Sequence, residues 1–269
     1  ARESDVRGAG GVGGPVTRGR RREPLGESRE RDGMAGSRAV VSDSGGGTRA
    51  RGFVHEVLFP YARKRLRQFV KEHEDNRQVA AALAEARELG GIGEADADGT
   101  ADLLLSWMDE DRKAGPLKLL QGLIWRQGYE EGALKGEIYE DAAALLEQWH
   151  ERGLRLFVYS SGSEEAQRLI FGRSNRGDLG KLFEGFFDTR IGAKIEAASY
   201  EAIVREVGLP AAEMLFLSDH AGEVAAARGA GMKAVRIDRD LAHDMWKEEK
   251  EAPVAGSFLS VEANIFSAE

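Results

Sequence analysis

Asp43, Ser160, Ser161, Lys194 and Asp219 are the residues of this chain whose types and spacing could handle a phosphate and a hard cation. Asp43 closes the short apolar run that begins at Ala39. Ser160 and Ser161 close the run from Leu154, and Asp219 follows the run from Met214 through Ser218. Apolar and β-branched runs of this length, broken by small polar residues, mark fully buried parallel strands. In a parallel sheet the carboxyl ends of the strands lie along one edge, where residues far apart in sequence converge. Two carboxylates there suit Mg²⁺, which takes one or two carboxylates, keeps waters and accepts a phosphate oxygen. Lys194, in a loop between the last two tips, would neutralise charge on the same phosphate and on the attacking group. A carboxylate so placed can attack phosphorus and form an aspartyl-phosphate, dividing hydrolysis into two easier steps. The serine hydroxyls, with the backbone N–H groups ahead of a helix starting near Glu164, would seat the anion.

Taken singly, each residue has a plainer reading: the serines as N-caps, the aspartates as caps or turn formers, the lysine as a solvated surface charge. Their order and spacing favour the joint reading. The elements that must position them are legible on either side. Helical periodicity at Glu164 to Phe171, Ser199 to Val207 and Glu223 to Gly229 alternates with strands at Leu154 to Tyr159, Phe186 to Asp188, Met214 to Leu217 and Ala234 to Ile237. That alternation predicts βαβ crossovers and an α/β fold with a doubly wound parallel sheet. From Phe53 to about Tyr139 the period is helical throughout. Val54 to Val70 reads as one amphipathic helix, and Val79 to Leu89, Ala101 to Glu110 and Leu117 to Trp125 as others, which makes this block an α-helical insert after the first strand. A helix is also expected at Asp141 to His150, and one short strand or helix after Asp238. The expected division is an arm at 1–36, a core at 37–52 and 141–250, a helical cap at 53–140 and a C-terminal tail at 251–269.

Composition narrows the possibilities. A chain of 269 residues, 42% hydrophobic, can bury one core and a smaller accessory unit. A formal net charge of -8 argues against a general nucleic-acid binder. Residues 1–36 carry no aromatic residue, Ile or Lys and are expected to be disordered, and the cluster Arg18, Arg20, Arg21 and Arg22 is diluted by Glu23, Glu27, Glu30 and Asp32. The absence of cysteine excludes disulfides and thiolate metal sites. No apolar run reaches the ~18 residues needed to span a bilayer, and the first residues lack a signal-peptide pattern. The expectation is a cytoplasmic monomer acting on a small phosphorylated molecule, with neither nucleic acid nor membrane as partner. Trp107, Trp125 and Trp149 read as packing. His55, His73, His150, His220 and His243 lack metal-ligand spacing, and His220, though next to Asp219, is expected at the surface.

From about Val40 to Ile237 the chain resembles the haloacid dehalogenase superfamily and, within it, the enolase-phosphatases (acireductone synthases) of methionine salvage. The resemblance is carried by FVHEVLFPYAR (Phe53 to Arg63), DRKAGPLKLLQGLIWRQGY (Asp111 to Tyr129), VYSSGSEEAQRLIFG (Val158 to Gly172), FFDTRIGAKIEAASY (Phe186 to Tyr200) and LFLSDHAGEVAAARGAGM (Leu215 to Met232). It implies an α/β core with a helical cap inserted after the first strand, and one Mg²⁺ per subunit. The implied reaction converts 2,3-diketo-5-methylthiopentyl-1-phosphate to its enol phosphate and then to the acireductone 1,2-dihydroxy-3-keto-5-methylthiopentene plus phosphate. By the same resemblance Asp43 is nucleophile and metal ligand, Asp219 a second ligand and the Gly45 backbone carbonyl a third. Ser160, Ser161 and Lys194 bind substrate, and Glu223 is a supporting acidic residue near the metal.

The chain departs from that family at the first strand tip, where Asp-x-Glu-Gly-Thr is replaced by Asp43-Ser44-Gly45-Gly46-Gly47-Thr48. Gly45 takes the place of the glutamate, so it can keep a carbonyl for the metal but cannot move a proton. Losing a general acid/base typically costs ~10²–10⁴-fold in rate, which predicts a phosphatase that binds but turns over slowly. Arg49 and Arg51 also replace small or apolar positions. Two other readings stay open here: a haloacid dehalogenase-type phosphatase for another small ester, and a binding protein that has lost catalysis.

Overall fold

The computed structural model describes residues 36–50 and 52–266. The arm expected at 1–36 therefore lies, apart from Gly36, outside the described residues, as does Arg51.

Strands β1 (Ala39–Asp43), β2 (Arg155–Tyr159), β3 (Phe183–Phe187), β4 (Met214–Ser218), β5 (Lys233–Ile237), β6 (Trp246–Lys247) and β7 (Val254–Ala255) form one sheet in the order β3-β2-β1-β4-β5-β7-β6. Every neighbouring pair is parallel except β6 with β7, which adds an antiparallel edge. Asp43 lies opposite Tyr159, and Ser42 opposite Leu217. That register levels the carboxyl ends of β2, β1 and β4, so the residues that follow them emerge side by side.

The strands are apolar along their length because both faces are covered. Val40, Leu156, Val158, Leu215, Leu217, Val235 and Ile237 point into one core, and Ala39, Val41, Phe157, Tyr159, Met214, Phe216 and Ala234 into the other. This is the period-two alternation of a strand read on two buried faces. The first four helices after β1 have a core of their own: α1 (Phe59–His73), α2 (Arg77–Gly90), α3 (Ala97–Asp109) and α4 (Gly115–Glu130), joined through Leu66, Phe69, Leu83, Leu104, Trp107 and Ile124. Helices α5 (Glu140–Glu151) and α6 (Glu164–Gly172) cover the first face of the sheet, through residues such as Leu146, Trp149 and Phe171. Helices α7 (Ala197–Val207) and α8 (Ala221–Gly229) cover the second, through Tyr200, Ile203 and Val224. Trp107 and Trp149 are buried and Trp125 is half-buried, as packing requires.

Local chemistry changes the expected elements in three places. Residues 54–58 do not extend α1: they make a wide π-helical turn in which the Phe59 N–H bonds to the Val54 carbonyl, and Pro60 has no N–H with which to continue a regular ladder back into it. Strand β3 starts at Phe183 and ends before Asp188. Its alternation is hidden by Gly185, which marks a close approach: a Cβ there would lie 3.1 Å from the Phe157 ring. After Asp238 the chain makes two short strands and a helix, α9 (Phe258–Val261), that continues as a π-helical turn to Phe266. Trp149 stacks on Phe258 at 5.6 Å and donates from its indole nitrogen to Glu262 at 2.6 Å, which seats this segment against α5.

Candidate active site

The loop after β1 is built from small residues, yet it is tightly held. The Thr48 hydroxyl donates to the Asp43 carbonyl and shares a hydrogen bond with the Ser42 hydroxyl, both at 2.6 Å. The Gly45 carbonyl accepts the N–H groups of Thr48 and Arg49 at 2.9 and 3.1 Å. From just beyond β5, Arg239 donates to the Gly47 carbonyl at 3.0 Å and to Asp141 at 2.7 Å. None of the three consecutive glycines needs a left-handed backbone, so the turn itself does not demand glycine at position 45.

Asp43 is buried and both its oxygens are engaged: Oδ2 accepts the Gly45 N–H at 2.8 Å, and Oδ1 accepts from Lys194 Nζ at 2.6 Å. Lys194 is buried too and reaches Glu223 Oε2 at 2.7 Å. Burial alone would lower the lysine pKa, but the carboxylates of Asp43 and Glu223 outweigh it and hold the ammonium above its ordinary value. The loop carrying Lys194 is fixed by the Tyr200 hydroxyl, which donates to the Lys194 carbonyl at 2.7 Å. Glu223 also accepts from the Ser218 hydroxyl at 2.7 Å, so this acidic residue grips the lysine and the β4 tip. His220 is exposed and caps α8 through its ring nitrogen, as its expected surface position allows.

At the β2 tip Ser160 and Ser161 part company. Ser160 is buried and accepts from the Ser44 hydroxyl at 2.6 Å and from the Gly162 N–H at 3.2 Å. Ser161 is exposed and makes no hydrogen bond among the described residues. The helix-capping role that either could have taken falls to Ser163, which accepts the Ala166 N–H at 3.2 Å. A Cβ built on Gly45 would run into Asp43 Oδ2 and come within 3.7 Å of Asp219 Oδ1, which puts the carboxylates of Asp43 and Asp219 around one small space. Asp43, Ser160, Lys194, Asp219 and Glu223 thus meet at one sheet edge. A separate cavity of about 540 Å³, lined by Phe53, Val57, Leu134, Ile138, Tyr139 and Asn175, is not bordered by any of them.

A family model for haloacid dehalogenase-like hydrolases matches residues 47–231. The chain is 67% identical over 229 residues to "Enolase-phosphatase E1" of Parvibaculum lavamentivorans, covering 85% of this chain and 96% of that protein. It is 53% identical over 203 residues to the protein of the same name from Pseudomonas aeruginosa, covering 76% and 82%. This chain belongs to the enolase-phosphatase E1 family of haloacid dehalogenase-like hydrolases. Among solved structures, the UTR4 protein of Saccharomyces cerevisiae is 32% identical and superposes with a TM-score of 0.66, over 75% of this chain and 90% of that one.

Hydrolases of this family are generally Mg²⁺-dependent. The space bordered by Asp43 and Asp219 fits such an ion: the donors are hard oxygens, and a hydrated Mg²⁺ needs only one or two carboxylates. Among the described residues no group of three or more His, Cys, Asp or Glu side chains could hold a metal, in keeping with an ion that takes one or two carboxylates and keeps its waters. The Gly45 carbonyl fits less well in this conformation, since the N–H groups of Thr48 and Arg49 take both its lone pairs.

Sequence reasoning missed Ser44, Thr48 and Arg239. Thr48 had a weak signal, as a hydroxyl shortly after a strand-tip aspartate. Arg239 had none, since it lies 192 residues from the carbonyl it holds.

Proposed function

We propose that this chain is an enolase-phosphatase that converts 2,3-diketo-5-methylthiopentyl-1-phosphate to the acireductone 1,2-dihydroxy-3-keto-5-methylthiopentene and phosphate. The observation that supports it most is the buried Lys194 ammonium, 2.6 Å from an Asp43 carboxylate that shares its edge with Asp219. In this reading Asp43 attacks phosphorus, and its geometry suits the task. The Gly45 N–H and Lys194 hold the carboxylate in place before substrate arrives, and Lys194 then neutralises charge on the transferring phosphoryl group. Ser160, oriented by Ser44, donates to a phosphate oxygen, and Ser161 meets the substrate from the exposed rim. Asp43 and Asp219 would hold one Mg²⁺, which when bound supplies charge neutralisation at phosphorus and polarises a substrate carbonyl. Glu223 acts by positioning Lys194.

Residues 53–140 serve as a cap that closes over the substrate's chain, and residues 37–52 and 141–250 as the core. Gly45 supplies no proton to the leaving group, so turnover is slow. The same proposal takes the protein as a cytoplasmic monomer.

Phosphate release from the diketo ester, measured beside generic phosphate monoesters with Mg²⁺ present, tests the reading. A preference for the diketo ester is expected, and a marked preference for the generic esters defeats it.

A further inference from the structure

Two buried donors beside the carboxylate edge have nothing to bond to. Arg49 is 8% exposed, and its Nε has no hydrogen-bond partner among the described residues. Tyr129, in the last turn of α4, is 2% exposed, and its hydroxyl likewise has none. Both bear on the site: the charges of Asp43 and Asp219 and the Tyr129 phenol all act on the Arg49 guanidinium, and Tyr129 shares a core with Phe53. The backbone of Arg49 is pinned, its N–H held by the Gly45 carbonyl at 3.1 Å and its strand-like bridge made to Ile138. The Phe53 ring lies 5.7 Å from the guanidinium carbon.

Each unsatisfied buried donor carries a desolvation penalty, and native proteins rarely tolerate one without cause. Two of them set around Phe53, one cationic and one neutral, ask for a common acceptor. Neither donor reaches Asp43, whose oxygens accept from the Gly45 N–H and from Lys194. Phosphate already has Lys194, Ser160 and the metal space. What remains for this pair is an oxygen of the substrate next to the phosphate-bearing carbon, either partly negative or able to become so.

We propose that Arg49 and Tyr129 form a donor pair that takes a carbonyl oxygen of the substrate, making a subsite that selects phosphate esters with a neighbouring ketone. This rests on the enolase-phosphatase reading, in which the substrate carries vicinal carbonyls. Burial raises the Tyr129 pKa, so the hydroxyl keeps its proton and stays a donor. Arg49 is a substrate-binding residue here, and its charge favours the more electron-rich oxygen that enolisation produces.

The test is calorimetric titration of the full chain, with Mg²⁺, by two non-hydrolysable ligands of equal chain length: an alkyl phosphonate and a 2-oxoalkyl phosphonate. The 2-oxo ligand should bind about tenfold more tightly, the scale of one hydrogen bond from a charged donor. Tyr129→Phe and Arg49→Ala should each cut that ratio at least threefold, and the double variant should bring it close to one. Tyr129→Phe removes only a hydroxyl, and Arg49→Lys stands in if Arg49→Ala does not fold. A ratio near one in the unaltered chain overturns the proposal, as does an equal loss of both ligands in the variants. Hydrolysis of the diketo ester by the unaltered chain decides the enolase-phosphatase reading separately. A chain that prefers simple esters but shows the ratio keeps the subsite and loses that reading, and one that hydrolyses the diketo ester with a ratio of one does the reverse.

Discussion

Lys194→Met would leave the carboxylates of Asp43 and Glu223 facing one another across the space that the ammonium now fills, at 2.6 and 2.7 Å from it. The three side chains are 10%, 9% and 13% exposed, so water screens them little. A solvent-exposed pair would contribute at most about 1 kcal/mol, whereas removing one partner of a buried pair costs about 3–5 kcal/mol because the remaining charge is stranded. At roughly 2–4 °C per kcal/mol for a chain of this size, the thermal midpoint should fall by roughly 6–20 °C. Phosphate release should fall about 10²–10³-fold, as when one preorganised donor is removed from a site of developing charge. The pH dependence fixes the sign. The folded-state pKa of Lys194 is raised above its ordinary 10.5, so its stabilisation is fully present below that value and is lost as pH rises through the raised one. The unaltered chain and Lys194→Met should therefore differ most at neutral pH and converge in the alkaline range, followed by urea midpoints from pH 7 upward. A neutral-pH difference below about 1 kcal/mol, or one that does not shrink with rising pH, would refute the picture of a buried, charge-paired lysine.

Gly45→Glu should raise kcat by about 10²–10⁴-fold by restoring a proton donor. It should also lower the thermal midpoint by a few degrees, because its Cβ meets Asp43 Oδ2 and the carboxylate must turn away from the 2.8 Å N–H; unchanged kcat would clear Gly45 of blame for slow turnover. Adding Mg²⁺ at about a hundred times its dissociation constant should stabilise the unaltered chain by about 2.7 kcal/mol, and Asp219→Asn should remove most of that shift in a thermal melt. A shift of the same size in the variant would dissociate Asp219 from the metal. Trp149→Ala, at a residue with no exposed surface stacked on Phe258, should cost about 3–5 kcal/mol in urea denaturation. A loss of under 1 kcal/mol would mean that the segment from Phe258 to Phe266 is not seated as described.

The parts of this molecule readable from sequence are those whose physics is local. Met214 to Ser218 is an unbroken apolar run, and the strand, its tip and Asp219 follow from that alone. The four helices from Phe59 to Glu130 follow likewise from their 3.6-residue period. Strand β3 was half-hidden because Gly185 interrupts its alternation, and β6 and β7 span two residues each, too few for a period to register. At the site, residue types at strand tips named Asp43 and Asp219 and the loop between tips named Lys194, but only coordinates could separate Ser160 from Ser161, since both follow the same strand and only one is buried. The latch from Arg239 to the Gly47 carbonyl depends on a long-range approach that no spacing rule encodes.

The placement of β1 between β2 and β4 bears on how the protein is made. Its two neighbours are translated long after it, the second ending at Ser218. At ribosomal rates of about 5–20 residues per second, Ala39 to Asp43 waits on the order of ten to forty seconds for both edges to be paired. During that interval a nascent chain holds Val40 and Val41 without their final cover. A messenger truncated before Met214 therefore yields a polypeptide with an open strand edge at Asp43, a substrate for chaperones and proteases and a seed for aggregation.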